Sequence, residues 1–166
     1  MTTATAAPRL VDVLFPGGGE TGALVHSIDW QHTPLGPVER WAPSLRTTVS
    51  VVLGATTPVF VFWGPHHVQL YNDAYRPILG SDKHPTAMGA PGRSTWGDVW
   101  DVVGPQIERT YNGDTWALSD GQRFLERNGV LEEAFFNSSY TPVRDERGEV
   151  AGLYNTCGES TAHVLG

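Results

Sequence analysis

Residues 58–80 read PVFVFWGPHHVQLYNDAYRPILG, and the fold turns on how they are read. Residues 59–63 are wholly apolar, β-branched or aromatic, Gly64-Pro65 signals a turn, and residues 67–71 form a second run of mixed polarity. That pattern predicts a β-hairpin. Asn72 and Asp73 are good helix caps, and Tyr75, Ile78 and Leu79 supply a short apolar face before Gly80. Pro77 falls past the first turn of that helix, where its missing N–H removes a backbone bond, so the helix is expected to be short or distorted.

Downstream, residues 81–94 are rich in Gly, Pro and small side chains and read as a loop or broken helix. Trp96, Val99, Val103 and Ile107 then mark one side of a helix, which Gly104-Pro105 is expected to kink or divide. Residues 115–120 and 122–127 read as strand. Asn128-Gly129 is a two-residue hairpin signal, and residues 130–141 return as a long strand, with Arg127 expected opposite Val130 and Leu125 opposite Glu132. Pro142 and the charged turn 144–148 lead to a last strand over 149–157.

Upstream, Leu45, Val49, Val52 and Leu53 form a helical stripe, with Ser44 as the expected N-cap and Gly54 as the stop. Residues 29–45 hold several prolines and no usable period, so an irregular connection anchored by Trp30, Leu35 and Trp41 is expected. Residues 20–28 carry Ala23, Leu24 and Ile28 at helical spacing. The glycine triplet 17–19 lacks the preceding strand and the Gly-Lys-Ser/Thr of a phosphate loop, and reads as a turn before that helix.

Composition narrows the function. At 166 residues, 40% apolar and 17% charged, the chain has the makings of one soluble globular domain. A net charge of −7 with scattered basic residues argues against a nucleic-acid partner, because phosphate neutralisation needs clustered Lys and Arg. One cysteine, Cys157, rules out an internal disulfide and suits a cytoplasmic setting. No run reaches the roughly 18 apolar residues of a membrane span, so no membrane partner is expected.

The string Asp29-Trp30, Thr33-Pro34-Leu35-Gly36-Pro37, Trp41 and Ser44-Leu45-Arg46 resembles the lead-in before one group of bacterial PAS domains in sensor histidine kinases. Tyr71-Asn72-Asp73-Ala74-Tyr75 with Leu79-Gly80 is similar to the opening of a PAS core, and Pro142-Val143-Arg144-Asp145 with Gly148 and Val150-Ala151-Gly152 to its last two strands. Glu159-Ser160-Thr161 stands where the family has Asp-Ile-Thr, altered at two of three positions. The resemblance implies an α+β fold, a PAS-like five-stranded antiparallel sheet covered by helices with an N-terminal helical extension. The expected division is a disordered tail over 1–16, a helical lead-in over 17–57, a PAS core over 58–161 and the start of an exit linker over 162–166.

Heme-binding members usually take their axial histidine from the long helix, and residues 98–111 contain none; heme would need His84 or another loop histidine. Flavin photoreceptors need a cysteine after the hairpin helix, and residues 80–92 contain none. These departures argue against heme and covalent flavin and leave the cofactor unknown. His66 and His67 are adjacent, so they should face opposite ways and make a poor metal pair, and no metal site is expected. Glu132-Glu133 likewise point apart, and no nucleophile–base pairing stands out, so no catalytic residue is assigned.

The remaining expectation is a cup whose apolar interior carries a few polar tips: Asn72, Tyr75, Arg93, Trp96, Tyr140 and Asn155 as ligand-binding candidates. Arg93 would meet an acidic ligand. The functional expectation is a sensory input domain, not an enzyme, that binds a small molecule or partner domain and signals to an output such as a histidine kinase. Leu24 and Ile28 form a stripe offered for a homodimer. The rivals are a small-molecule enzyme on a cone-like α+β barrel, with an Asp-His pair in its cavity, and a ligand-free dimerisation module.

Overall fold

The structure, a computed structural model, describes residues 7–127 and 129–160, with 123–127 described as backbone. Helices α1 (Leu10–Leu14), α2 (Gly19–Ser27) and α3 (Pro43–Gly54) precede the hairpin β1 (Val59–Trp63) and β2 (Val68–Tyr71). Two short helices, α4 (Arg76–Leu79) and α5 (Gly92–Trp96), and the longer α6 (Trp100–Tyr111) follow. The chain then runs through β3 (Trp116–Arg127), β4 (Val130–Arg144) and β5 (Val150–Glu159). The strands form one sheet in the order β2-β1-β5-β4-β3, and every neighbouring pair is antiparallel.

All nine residues of β1 and β2 are buried, because the sheet is covered on both faces there. α3 packs against both strands and contributes Leu45, Val49, Val52 and Leu53 to the core. Trp63 lies opposite Gly152 on β5, where a Cβ would come within 2.6 Å of the indole; only glycine lets this large ring lie flat on the neighbouring strand. By contrast β4 alternates: Ala134, Phe136, Ser138 and Tyr140 are buried while Asn137 and Thr141 are exposed. Arg127 pairs with Val130 and Leu125 with Glu132, the register expected of a two-residue turn; Asn128 of that turn lies outside the described residues.

The proline-rich lead-in is two single 3-10 turns, Trp30–His32 and Val38–Arg40, held by indoles that reach back to the backbone. Trp30 Nε1 donates to the Val25 carbonyl and Trp41 Nε1 to that of Gly36, each at 2.8 Å, and the two rings meet edge to face at 5.0 Å.

Several local expectations are corrected. Residues 1–6 of the supposed disordered tail lie outside the described residues, but residues 10–14 are helical and Val11 and Phe15 are buried, since that apolar patch packs on the lead-in tryptophans. Thr161 of the altered exit motif and the linker residues 162–166 also lie outside the described residues. Ser44 does not cap α3: the helix starts one residue earlier at Pro43, the position proline favours, and the Ser44 N–H donates to Glu146 Oε1 at 2.6 Å. Pro105 neither divides nor ends α6, which runs through it to Tyr111. Leu24 and Ile28, the stripe offered for a homodimer, are partly buried and pack against the core.

Asn72 and Asp73 do not cap the helix that follows them. Asp73 instead caps α2 from 52 residues away, accepting from the Thr21 N–H at 2.8 Å and the Glu20 N–H at 3.0 Å. A Cβ on Gly19, which also has a φ of +62°, would lie 2.0 Å from that carboxylate. The glycine triplet thus opens a helix N-terminus to an anion, but the anion is the protein's own.

Candidate functional site

Phe60 and Phe62 on β1, Tyr140 on β4 and Asn155 on β5 project from one face of the sheet towards the helices. Tyr75, from the 3-10 turn before α4, Trp96 at the end of α5, and Val102, Val103 and Gln106 on α6 complete a cavity of about 260 Å³. Its walls are largely aromatic: the Phe60 ring lies 5.0 Å from those of Phe62 and Tyr75 and 6.4 Å from that of Trp96. Tyr140 is backed by Trp116, stacked at 4.1 Å and 8°.

Most polar tips of this cavity are held by the protein. Tyr75 Oη donates to Asn155 Oδ1 at 3.2 Å, and Asn155 Nδ2 donates to the Ser139 carbonyl at 3.1 Å. The thiol of Cys157, buried next along β5, reaches Asn155 Oδ1 at 3.6 Å and lies 3.4 Å from Ser138 Oγ. Trp96 Nε1 donates to Gln69 Oε1 at 2.7 Å. Gln69, wholly buried on β2, uses its amide nitrogen on the Ala87 and Ala90 carbonyls, each at 3.2 Å, and on Thr95 Oγ1 at 2.7 Å. The indole is therefore locked in place, and its ring faces the cavity wall.

Four of the six residues singled out in the sequence, Tyr75, Trp96, Tyr140 and Asn155, meet in this cavity. Asn72 does not. Its buried side chain accepts from the Val59 N–H at 3.1 Å and donates to the carbonyls of Thr57 at 2.8 Å and Ala55 at 3.2 Å, tying the entry to β1 to the exit from β2. Arg93 is also elsewhere. A bridge between Val68 and Pro91 pins the start of α5 to the β2 edge, and the Arg93 guanidinium there lies 5.4 Å over Trp100. Gln69, Val102 and Gln106 were not singled out, although Val102 and Gln106 stand four apart on the helix that carries Val103.

No protein-family model matches the sequence, and no curated protein sequence does so significantly. Solved structures do. An RNA-binding light-oxygen-voltage receptor superposes with a TM-score of 0.50 at 18% identity, over 80% of this chain and 38% of that one. The chain folds as a PAS domain. The PAS receptor VqmA of Vibrio cholerae, solved without its target DNA, matches with a TM-score of 0.51 at 15% identity, over 70% of this chain and 52% of that one. A phage VqmA–DPO complex matches with a TM-score of 0.51 at 16% identity, over 73% and 55% of the two chains. The chain thus spans about two-fifths to just over half the length of these proteins.

These neighbours overturn the exclusion of a nucleic-acid partner. Two are named for RNA or DNA binding, and this fold makes up only 38% and 52% of their chains. Among the described residues, no helix is long and apolar enough to cross a membrane.

Proposed function

We propose that this PAS domain is a sensory input module whose cavity binds a small molecule and whose occupancy is relayed to an output domain. One observation carries the reading: the cavity walls include no Asp, Glu, His, Lys, Arg or Cys, only aromatic, aliphatic, amide and phenol groups. An enzyme on a cone-like barrel needs a base or nucleophile within reach of its substrate, and this lining offers neither at neutral pH. This lining suits binding a small molecule better than transforming one. The lone buried thiol suits a reducing cytoplasm.

The relay has a physical route. Tyr75, which touches the cavity, shares one turn with Asp73 and Arg76. Asp73 caps α2, and Arg76 Nη1 pairs with Glu20 on α2 at 2.6 Å. A ligand that moves Tyr75 off Asn155 pulls on the lead-in as well as on β5. The resemblance of that lead-in to those of sensor histidine kinases makes a kinase one candidate output, and nucleic-acid-binding outputs belong beside it.

Native mass spectrometry of freshly purified protein tests the reading. A reproducible bound mass is expected, released on denaturation and absent from Val103→Trp, whose indole fills the cavity. A bare polypeptide for the native protein would instead favour a ligand-free interaction module.

A further inference from the structure

The chemistry of the cavity also bears on what it binds, an inference that rests on the sensory reading above. A volume of about 260 Å³ suits one substituted ring. Three features then narrow the class.

First, the lining carries no charged side chain. An anion or cation brought inside would leave its hydration shell with no counter-charge to receive it. Lys83, whose Nζ lies 5.2 Å over the Trp96 ring, does not line the cavity and is paired with Asp82 at 3.1 Å. Second, Phe60, Phe62, Trp96 and Tyr140 present ring surfaces, which favour a flat apolar body. Third, Trp96 Nε1 is committed to Gln69, and Asn155 to Tyr75 and Ser139. Among the described residues, the Gln106 carboxamide has no hydrogen-bond partner, and it offers one acceptor oxygen and two N–H donors side by side at the wall of the cavity.

We propose that the cavity takes a small, flat, uncharged ring compound carrying a hydrogen-bond donor next to an acceptor, with Gln106 as the residue that reads that paired edge. An amide-type group on the ring meets the carboxamide head to head, donor to acceptor and acceptor to donor. Gln106 is thus the specificity-determining contact, and the aromatic walls supply shape.

Benzamide, benzoate and benzamidine share one outline and differ in charge, and ethylbenzene lacks the polar edge. Binding of each to the folded domain is measured by titration in heteronuclear NMR, following backbone amides and the Gln106 side-chain amide. Benzamide is expected to bind and to shift the Gln106 side-chain signals, benzoate and benzamidine to bind at least tenfold more weakly, and ethylbenzene to bind without moving those signals. Gln106→Leu is expected to weaken benzamide about tenfold, the loss of one to two hydrogen bonds, while leaving ethylbenzene unchanged. Equal binding of all three polar rings, or benzamide affinity unaffected by Gln106→Leu, would overturn the proposal. A retained bound mass alongside either result would leave the sensory reading standing and sink only the ligand class. Failure of all four probes, in protein whose spectrum is dispersed, also overturns it.

Discussion

The two ends of the sheet obey different rules. β1 and β2 are buried throughout, packed by α3, with Phe60 and Phe62 of β1 also lining the cavity, so neither strand shows the alternation of a half-buried strand. β4 alternates over its second half, and its first residues, 130–133, are all exposed, since β5 reaches only as far as Phe136. Burial is concentrated where the lead-in covers the sheet, and the cavity sits at the border between the covered and open parts. A receptor needs that contrast: a fixed wall, and a neighbouring element free to respond.

Substitutions graded across that border sharpen the comparison. Leu70→Ala, within the covered half, is expected to lose about 2–5 kcal/mol in chemical denaturation, because α3 and the helices on the other face cannot both close the void. Asn72→Ala strands the Val59 N–H and two carbonyls and is expected to lose about 2 kcal/mol, with no change in ligand mass, since the side chain does not line the cavity. Asp73→Ala uncaps α2 and is expected to lose about 1 kcal/mol, with faster amide exchange at Glu20 and Thr21.

His67 gives the covered half a pH dependence. Its ring lies between Trp100 and Tyr111, and burial, then the adjacent His66, holds its pKa below the ordinary 6.5. The folded state favours the neutral ring, so this contribution is present above pH 6.5 and lost as the pH falls through the lower folded value. The stability of His67→Asn, a residue that tolerates the positive φ here, is expected to vary less between pH 7 and pH 5. Leu131→Ala, at the 70% exposed start of β4, should change stability by less than about 0.5 kcal/mol. A loss there comparable to that of Leu70→Ala would erase the distinction between the two regions.

The hairpins, their register and the order of elements were legible in the sequence because they depend on local signals: the apolar run at 59–63, the turn at Gly64, the pairing of Arg127 with Val130. Tyr75, Trp96, Tyr140 and Asn155, offered as ligand-binding candidates on the expected cup, do line the cavity. What was not legible is tertiary. Asp73 looks like a local cap, and only the folded chain brings the start of α2 to it. Arg93 reads as a cavity tip for an acidic ligand, and only the Val68–Pro91 bridge shows the start of α5 fixed on the sheet edge. Gln106 was not singled out, though its spacing from Val102 and Val103 places all three on neighbouring turns of one face.

The account stands on the cavity being felt at the lead-in. Hydrogen exchange at the Glu20 and Thr21 amides, compared between the native protein and the cavity-filled Val103→Trp variant, tests this most directly. The prediction is a change of several-fold in exchange at these two amides, transmitted through Tyr75 and Asp73, with the β1 amides unaltered. Identical rates at Glu20 and Thr21 in the two folded proteins would contradict it.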